Sequence, residues 1–225
     1  MQQRSQELRS KLGANGLLIL GHFSLKDDEI LLPNAEIQPK VIAIVGNAGS
    51  SIWPAFTAAR HGQPELTLDR WTKAVLDDVA VTIDARALYP FEGPPFWPFI
   101  QWAVRTGSLF PSPIGLTIHP VFGLWHAFRG ALLFDQDPGL ETTTSASPCA
   151  SCKDRPCLNT CPASAFSDQG YNFEACLGYL AAGPNPCRSG GCEARKACPI
   201  GKTHHYLAEH AAFHMNQLLQ AHGKG

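Results

Sequence analysis

Apolar and polar positions alternate with different periods along the chain, and each change of period marks an element. Gln3 to Leu12 has helical character, and Leu17 to Leu20 is a short apolar run suited to a strand. Val41 to Val45 is a β-branched run that ends at Gly46-Asn-Ala-Gly49-Ser50, and a helical stretch continues to Arg60. The three segments predict a strand, a turn and a helix. Thr67 suits a helix N-cap, because Leu68, Trp71, Val75 and Val79 behind it fall on one face. Val81 to Leu88 alternates in a way that fits helix or strand. Pro94 to Trp102 begins another helix. Ile114 to Ile118 and Leu124 to Phe134 predict two strands joined around Pro120 and Gly123. Asp135 to Ser147, rich in Asp, Thr, Ser and Pro, has the composition of a linker. Residues 203 to 220 predict a last helix, with Thr203 as its candidate cap.

This pattern divides the chain into a mixed α/β domain over residues 1–140 and a small, loop-rich domain over 141–225. The expected class is α+β. With 225 residues, 44% of them hydrophobic and 16% charged, the chain has the means to bury a core. Its formal charge of −1 argues against a nucleic acid as main partner, since phosphate backbones require a basic face. No run approaches the roughly 18 apolar residues of a membrane span. Met1 to Lys11 is polar and lacks the apolar run of a secretory signal, and the cytoplasm is the expected compartment because dense free thiols survive in a reducing milieu.

The eight cysteines change the picture most. None precedes Cys149, and the last is Cys198. The first run is Cys149-x2-Cys152-x4-Cys157-x3-Cys161-Pro162; Cys176 stands alone; the second run is Cys187-x4-Cys192-x5-Cys198-Pro199. Bacterial two-cluster ferredoxins use C-x2-C-x2-C-x3-C-P, with the fourth thiol serving the other cluster. The first run departs from that pattern by two extra residues between its second and third thiols. Eight thiolates suffice for two [4Fe–4S] clusters. The three close thiols of a run reach one cluster, and the chain turns away at the Cys-Pro step. Cys149, Cys152, Cys157 and Cys198 are therefore expected on one cluster, and Cys161, Cys176, Cys187 and Cys192 on the other. Zinc and disulfides are the alternatives. The x4 and x5 spacings of the second run suit zinc knuckles poorly.

Cys149 through Pro199 resembles the cluster domain of epoxyqueuosine reductases and related cobalamin-dependent reductases. The resemblance includes the lone cysteine in Phe173-Glu-Ala-Cys176-Leu-Gly-Tyr-Leu180, and it implies the same crossed set of ligands. Upstream, Ile118-His-Pro-Val-Phe-Gly-Leu-Trp-His-Ala-Phe-Arg-Gly130 resembles a stretch of cobalamin-processing (CblC-type) proteins. Leu68-Asp-Arg-Trp71 and Leu88-Tyr-Pro-Phe91 resemble further segments of that family. The likeness implies a nitroreductase-like α+β domain, followed by a ferredoxin-like domain with two clusters. It also implies a corrinoid such as cobalamin as a further cofactor.

The candidate corrinoid-binding residues are His119, Gly123, Trp125 and Arg129. Gly123 allows a tight turn and Arg129 offers a rigid fork of donors. His119 or His126 could ligate a metal or donate a hydrogen bond. The bland alternative is a buried hairpin whose arginine pairs with an acid. Tyr89, Phe91, Phe96, Trp97, Phe99 and Trp102 suit either core packing or a wall for a flat cofactor. Gly46 to Ser50 suits either an ordinary turn or an anion cradle. His210 and His214, spaced i and i+4, more simply form a solvated or packing face. No catalytic residue is legible.

The expected function is an iron–sulfur redox protein. Electrons from a partner protein would pass through two clusters to a corrinoid. The alternative is a ferredoxin-like carrier without a substrate site. Epoxyqueuosine reduction on transfer RNA fits least, because the chain is short, has no basic run and lacks the Arg-Asp-Tyr-His-type segment of those enzymes.

Overall fold

The structure is a computed structural model that describes residues 2–26, 28–32, 38–141, 144–167 and 170–223. In its first half the chain runs α1 (Gln2–Gly13), β1 (Leu18–Ser24), β2 (Val41–Ala48), α2 (Trp53–Arg60), α3 (Leu68–Thr82), β3 (Arg86–Leu88) and α4 (Phe99–Arg105). Then follow β4 (Phe110–Pro111), β5 (Thr117–Ile118), β6 (His126–Phe134), α5 (Pro156–Asn159), β7 (Phe166–Ser167) and β8 (Gly170–Tyr171). The last elements are α6 (Phe173–Ala181), α7 (Pro186–Gly190), α8 (Glu193–Lys196) and α9 (Ala208–His222). Helix and strand mix throughout, and the fold class is α+β. Among the described residues, no helix is long and apolar enough to cross a membrane.

Two compact units form. The first comprises Met1–Leu109 and Ala127–Ser145. Its sheet has the order β1-β2-β6-β3, with β1 antiparallel to β2 and β3 antiparallel to β6. The run Val41 to Val45 is buried throughout, as a strand with neighbours on both sides requires. A Cβ on Gly46 would lie 2.2 Å from the Ala127 carbonyl oxygen, so only glycine permits this close approach of β2. Thr67 caps α3, its hydroxyl accepting from the Arg70 N–H at 3.2 Å. Leu68, Trp71, Leu76 and Val79 bury the inner face of α3, while Val75 is half-buried.

Two ambiguities of the pattern resolve here. Val81 and Thr82 finish α3, and only Arg86 to Leu88 extend as a strand. The helix expected from Pro94 begins at Phe99, with Pro98 in the capping position. Pro94, Pro95 and Pro98 lack N–H donors and push the residues before them out of helical conformation.

The second unit comprises Phe110–His126 and Ala146–Gly225. Residues 110–126, which the sequence pattern groups with 1–140, thus pack with the cysteine region. The strand expected over Ile114 to Ile118 shortens to Thr117–Ile118, paired with Phe110–Pro111. Ile114, Ile118 and Leu124 form an apolar cluster with Cys157 and Cys198, and Trp125, Tyr206 and Ala211 form another. The last helix starts at Ala208 with Leu207 at its cap position. Thr203 instead lies in a short 3-10 turn, Lys202–His204, and His205 after it is extended. The expected linker includes residues 142 and 143, which lie outside the described residues.

Candidate metal centre

All eight cysteines are free thiols. Cys149 lies in a 3-10 turn, Pro148–Ala150, and Cys157 is the second residue of α5. Cys198 follows α8. Cys157 and Cys198 are buried among Ile114, Ile118 and Leu124, and Cys149 packs against the same cluster. Burial pushes the Cys149 thiol up, and nearby Cys198, Cys157 and Cys152 push it further. Cys157 is raised by burial first, then by Cys198 and Cys152. Cys149, Cys152, Cys157 and Cys198 therefore form one neighbourhood.

The other four share a different place. Cys161, Cys176, Cys187 and Cys192 all line one cavity of about 260 Å³ within the second unit. Burial raises Cys187 most, with Cys161 and Cys176 among the further causes. Cys192 is pushed up to about 11, chiefly by burial, with Cys187 and Cys176 adding to it. The structure thus brings together the two sets the spacing predicts, and the first run's last thiol and the second run's last thiol change sides.

Backbone donors surround these sulfurs. The Ala165 N–H donates to Cys161 Sγ at 3.4 Å. Against that burial, the Glu193 N–H lowers Cys187, and those of Arg195 and Ala194 lower Cys192. The Ile200 N–H likewise lowers Cys198, and the N–H groups of Cys157 and Leu158 lower Cys157. Tyr171 lines the same cavity, and burial first, then Cys176, pushes its phenol up.

This donor set bears on which group fits. Among the described residues, no three His, Cys, Asp or Glu side chains converge closely enough to hold a single ion. Four soft thiols around one cavity suit a polynuclear sulfur-ligated centre. A cationic core would also offset the burial that raises these thiols, since a coordinating thiol is deprotonated outright.

The candidate corrinoid residues divide between the units. Arg129 belongs to the first, is 8% exposed, and donates from Nε to Asn47 Oδ1 at 2.9 Å. Asn47 in turn donates to the Gly49 carbonyl at 2.8 Å, so the Gly46–Ser50 turn is tied to β6 through a buried amide. Asp69 lies near enough for the Arg129 charge to act on it, although burial raises its carboxyl overall.

His119, Gly123 and Trp125 belong to the second unit. His119 Nδ1 accepts from the Val121 and Phe122 N–H groups at 3.1 and 3.3 Å. A neutral imidazole that accepts at Nδ1 carries its proton on Nε2 and offers a donor there, not a lone pair for metal. Burial, with the His204 charge, lowers its pKa to about 4. His126 Nδ1 is 3.1 Å from the Gly123 carbonyl and Nε2 is 2.9 Å from Thr117 Oγ1. The carbonyl can only accept, so Nδ1 donates and Nε2 accepts the threonine proton. Gly123 has φ +59°, and a Cβ there would lie 2.1 Å from the Ile200 carbonyl oxygen. Trp125 is buried, with the Arg195 guanidinium 4.5 Å from its ring centroid and Tyr206 edge-on at 5.3 Å.

Several residues here escape a pattern search. Arg195 donates to the Leu124 and His126 carbonyls at 2.8 and 3.3 Å and lies 4.6 Å from the Tyr206 ring centroid. Its partners precede it by about 70 positions, so only the fold reveals them. Tyr171 gave no signal beyond being aromatic. His210 is fully buried, stacked on Tyr206 at 4.2 Å, with Nε2 3.0 Å from His214 Nε2. That makes the i, i+4 pair a packing feature. Of the aromatic group, Tyr89, Phe99 and Trp102 are core, while Phe96 is 63% exposed.

The fold and these thiols define an α+β chain with a cysteine-lined second unit. No family model matches the chain, and no curated protein matches it. Solved structures do. An epoxyqueuosine reductase superposes with a TM-score of 0.52 at 15% identity, over 92% of this chain and 68% of that one. The C. elegans B12-trafficking protein CblC, a homologue of human MMACHC, gives 0.51 at 13% identity, over 95% and 91%. The Bacillus subtilis epoxyqueuosine reductase gives 0.51 at 15% identity, over 91% and 66%. At such identities the likeness shows a shared fold.

Proposed function

We propose that the chain is an iron–sulfur redox protein whose two four-thiol groups each hold a [4Fe–4S] cluster and pass electrons onward to a corrinoid. The carrying observation is the arrangement of the cysteines: eight free thiols in two groups of four, assembled by exchange of Cys161 and Cys198 between the runs. When bound, the clusters supply one-electron transfer at a potential set by burial and by hydrogen bonds to sulfur. The chain's own part is to bury the thiols, aim N–H donors at them and keep the two groups a few residues apart at Cys157 and Cys161. The corrinoid reading draws support from the fold shared with a B12-trafficking protein. Cytoplasmic location and a protein electron donor go with this reading.

A second reading, a carrier with no substrate site, is favoured by a specific observation. Arg129, Trp125 and Gly123 are engaged in internal packing. Anaerobic reconstitution separates the readings. The expected product binds roughly eight irons per chain. Cobalamin added to it is expected to give a saturable shift of its visible bands near one equivalent. Iron uptake without any shift leaves the carrier, and no iron uptake sinks both.

A further inference from the structure

Arg195 sits on α8 between a thiol of each group, three positions after Cys192 and three before Cys198. Its side chain lines the cavity of Cys161, Cys176, Cys187 and Cys192. Nε donates to the Leu124 carbonyl at 2.8 Å, and Nη2 to the His126 carbonyl at 3.3 Å. The guanidinium carbon lies 4.5 Å from the Trp125 ring centroid and 4.6 Å from that of Tyr206, and both rings are buried. Two carbonyls and two rings therefore fix the cation in place. Among the described residues, no carboxylate pairs with it; Glu193, on the same helix, is taken by Lys196 at 2.8 Å. An arginine stays charged wherever it sits. A half-buried cation without an acid is costly unless some other negative group balances it.

We infer that Arg195 is the fixed counter-charge of the centre held by Cys161, Cys176, Cys187 and Cys192, and that it makes this centre easier to reduce. This rests on the function proposed above. Reduction adds one electron from the protein donor and makes the centre more negative, while the arginine gains and loses no proton. A cation in the wall stabilises the reduced form more than the oxidised form, so the midpoint potential rises. Because the side chain lines the wall, its charge is no further from the cavity than that side chain is long. Trp125 and Tyr206 exclude the water that would screen it. Lys153 and Arg155, in the loop between Cys152 and Cys157, are exposed, and solvent screens them.

The test is a set of variants of the full chain, reconstituted anaerobically. Iron is counted first, and both midpoints are then read by a dithionite titration followed by electron paramagnetic resonance. Cys187→Ala shows which midpoint belongs to this centre, by removing it. Arg195→Met and Arg195→Gln both remove the charge but differ in hydrogen bonding, whereas Arg195→Lys keeps the charge and loses the planar fork. The expected result is a lower midpoint for this centre in both neutral variants, with the other midpoint unmoved and the lysine variant close to the parent. Loss of this centre's iron in a neutral variant, with the lysine variant fully loaded, supports the inference equally, because charge decides it. Arg155→Gln makes the same change in net charge and is expected to leave this midpoint in place. The inference is overturned, with the function intact, by unchanged midpoints, by a fall at the other centre, or by an equal effect of Arg155→Gln. It is also overturned if glutamine matches lysine, or if all three Arg195 variants behave alike, loss of iron included; the side chain then only holds α8. A parent chain that binds no iron overturns the function itself.

Discussion

At the scale of single residues, the histidines of the 118–130 stretch show how a ligand type becomes a structural part. His119 and His126 each invite assignment to a metal, because imidazole is a common ligand. Both spend their accepting nitrogen inside the fold, His119 on two backbone N–H groups and His126 on the Thr117 hydroxyl. The consequence is a pH dependence of stability. Burial, then the charges of Arg195 and His119, lower the His126 pKa from 6.5 to about 3. Above 6.5 neither folded nor unfolded chain protonates the ring, and its full stabilisation is present. As pH falls from 6.5 toward 3 the unfolded chain takes a proton that the folded chain refuses, so stability drops, by at most about 1.4 kcal/mol per pH unit from this residue. Urea midpoints of the parent should therefore fall more steeply between pH 6.5 and 4 than those of His126→Gln. Parallel slopes would mean that the buried ring is not what the unfolded chain protonates. Arg129 teaches the same lesson without a titration. Its type was legible, but its partner Asn47 is 82 positions away, and nothing local marks the pair.

Elements were legible where a single local rule decided them. The stripe of α3 and its Thr67 cap follow from period and capping chemistry, and the buried run of β2 follows from its β-branched residues. They were illegible where tertiary contact decides. Ile114 to Ile118 looks like a strand, yet Ile114 turns into an apolar cluster with two cysteines instead of continuing a ladder. The same holds for the bend at Gly123. The turn from His119 to Gly123 and the turn at Ile200–Gly201 meet backbone to backbone: a Cβ on Gly123 would reach the Ile200 carbonyl, and one on Gly201 would lie 2.3 Å from the Phe122 carbonyl oxygen. Glycine at 123 therefore positions Cys198, two residues before Ile200. Gly123→Ala must open that contact as well as strain a left-handed backbone, a cost on the order of 1–3 kcal/mol. The expected outcome is a lower denaturation midpoint and loss of iron from the Cys198 group. Gly115→Ala isolates strain from contact, since its φ is +77° but no atom lies within 4 Å of the added Cβ. If the two variants lose iron equally, the meeting of the turns does not hold Cys198.

At the scale of the whole molecule, the crossing of the two cysteine runs and the extent of the second unit depend on different kinds of contact. The runs at 149–161 and 187–198 are separate in sequence, but Cys198 lies with Cys149, Cys152 and Cys157, and Cys161 lines the cavity of Cys176, Cys187 and Cys192. Crossing follows from covalent geometry, because a chain that turns at a Cys-Pro step carries its last thiol away from the preceding three. The boundary does not follow so simply, because residues 110–126 join the cysteine region through apolar contacts made after the chain has gone on through β6. Crossing makes a prediction that grouping by runs does not. Cys198→Ala and Cys149→Ala should remove the same centre, leaving one set of resonance signals and one midpoint potential. Cys161→Ala and Cys187→Ala should leave the other. Under grouping by runs, Cys198→Ala would instead match Cys187→Ala. Iron counts alone do not separate these cases, because each variant loses one centre; the identity of the surviving signal does. If Cys198→Ala spares the signal that Cys187→Ala removes, the thiols are shared across the runs, and each run is held in place by both centres.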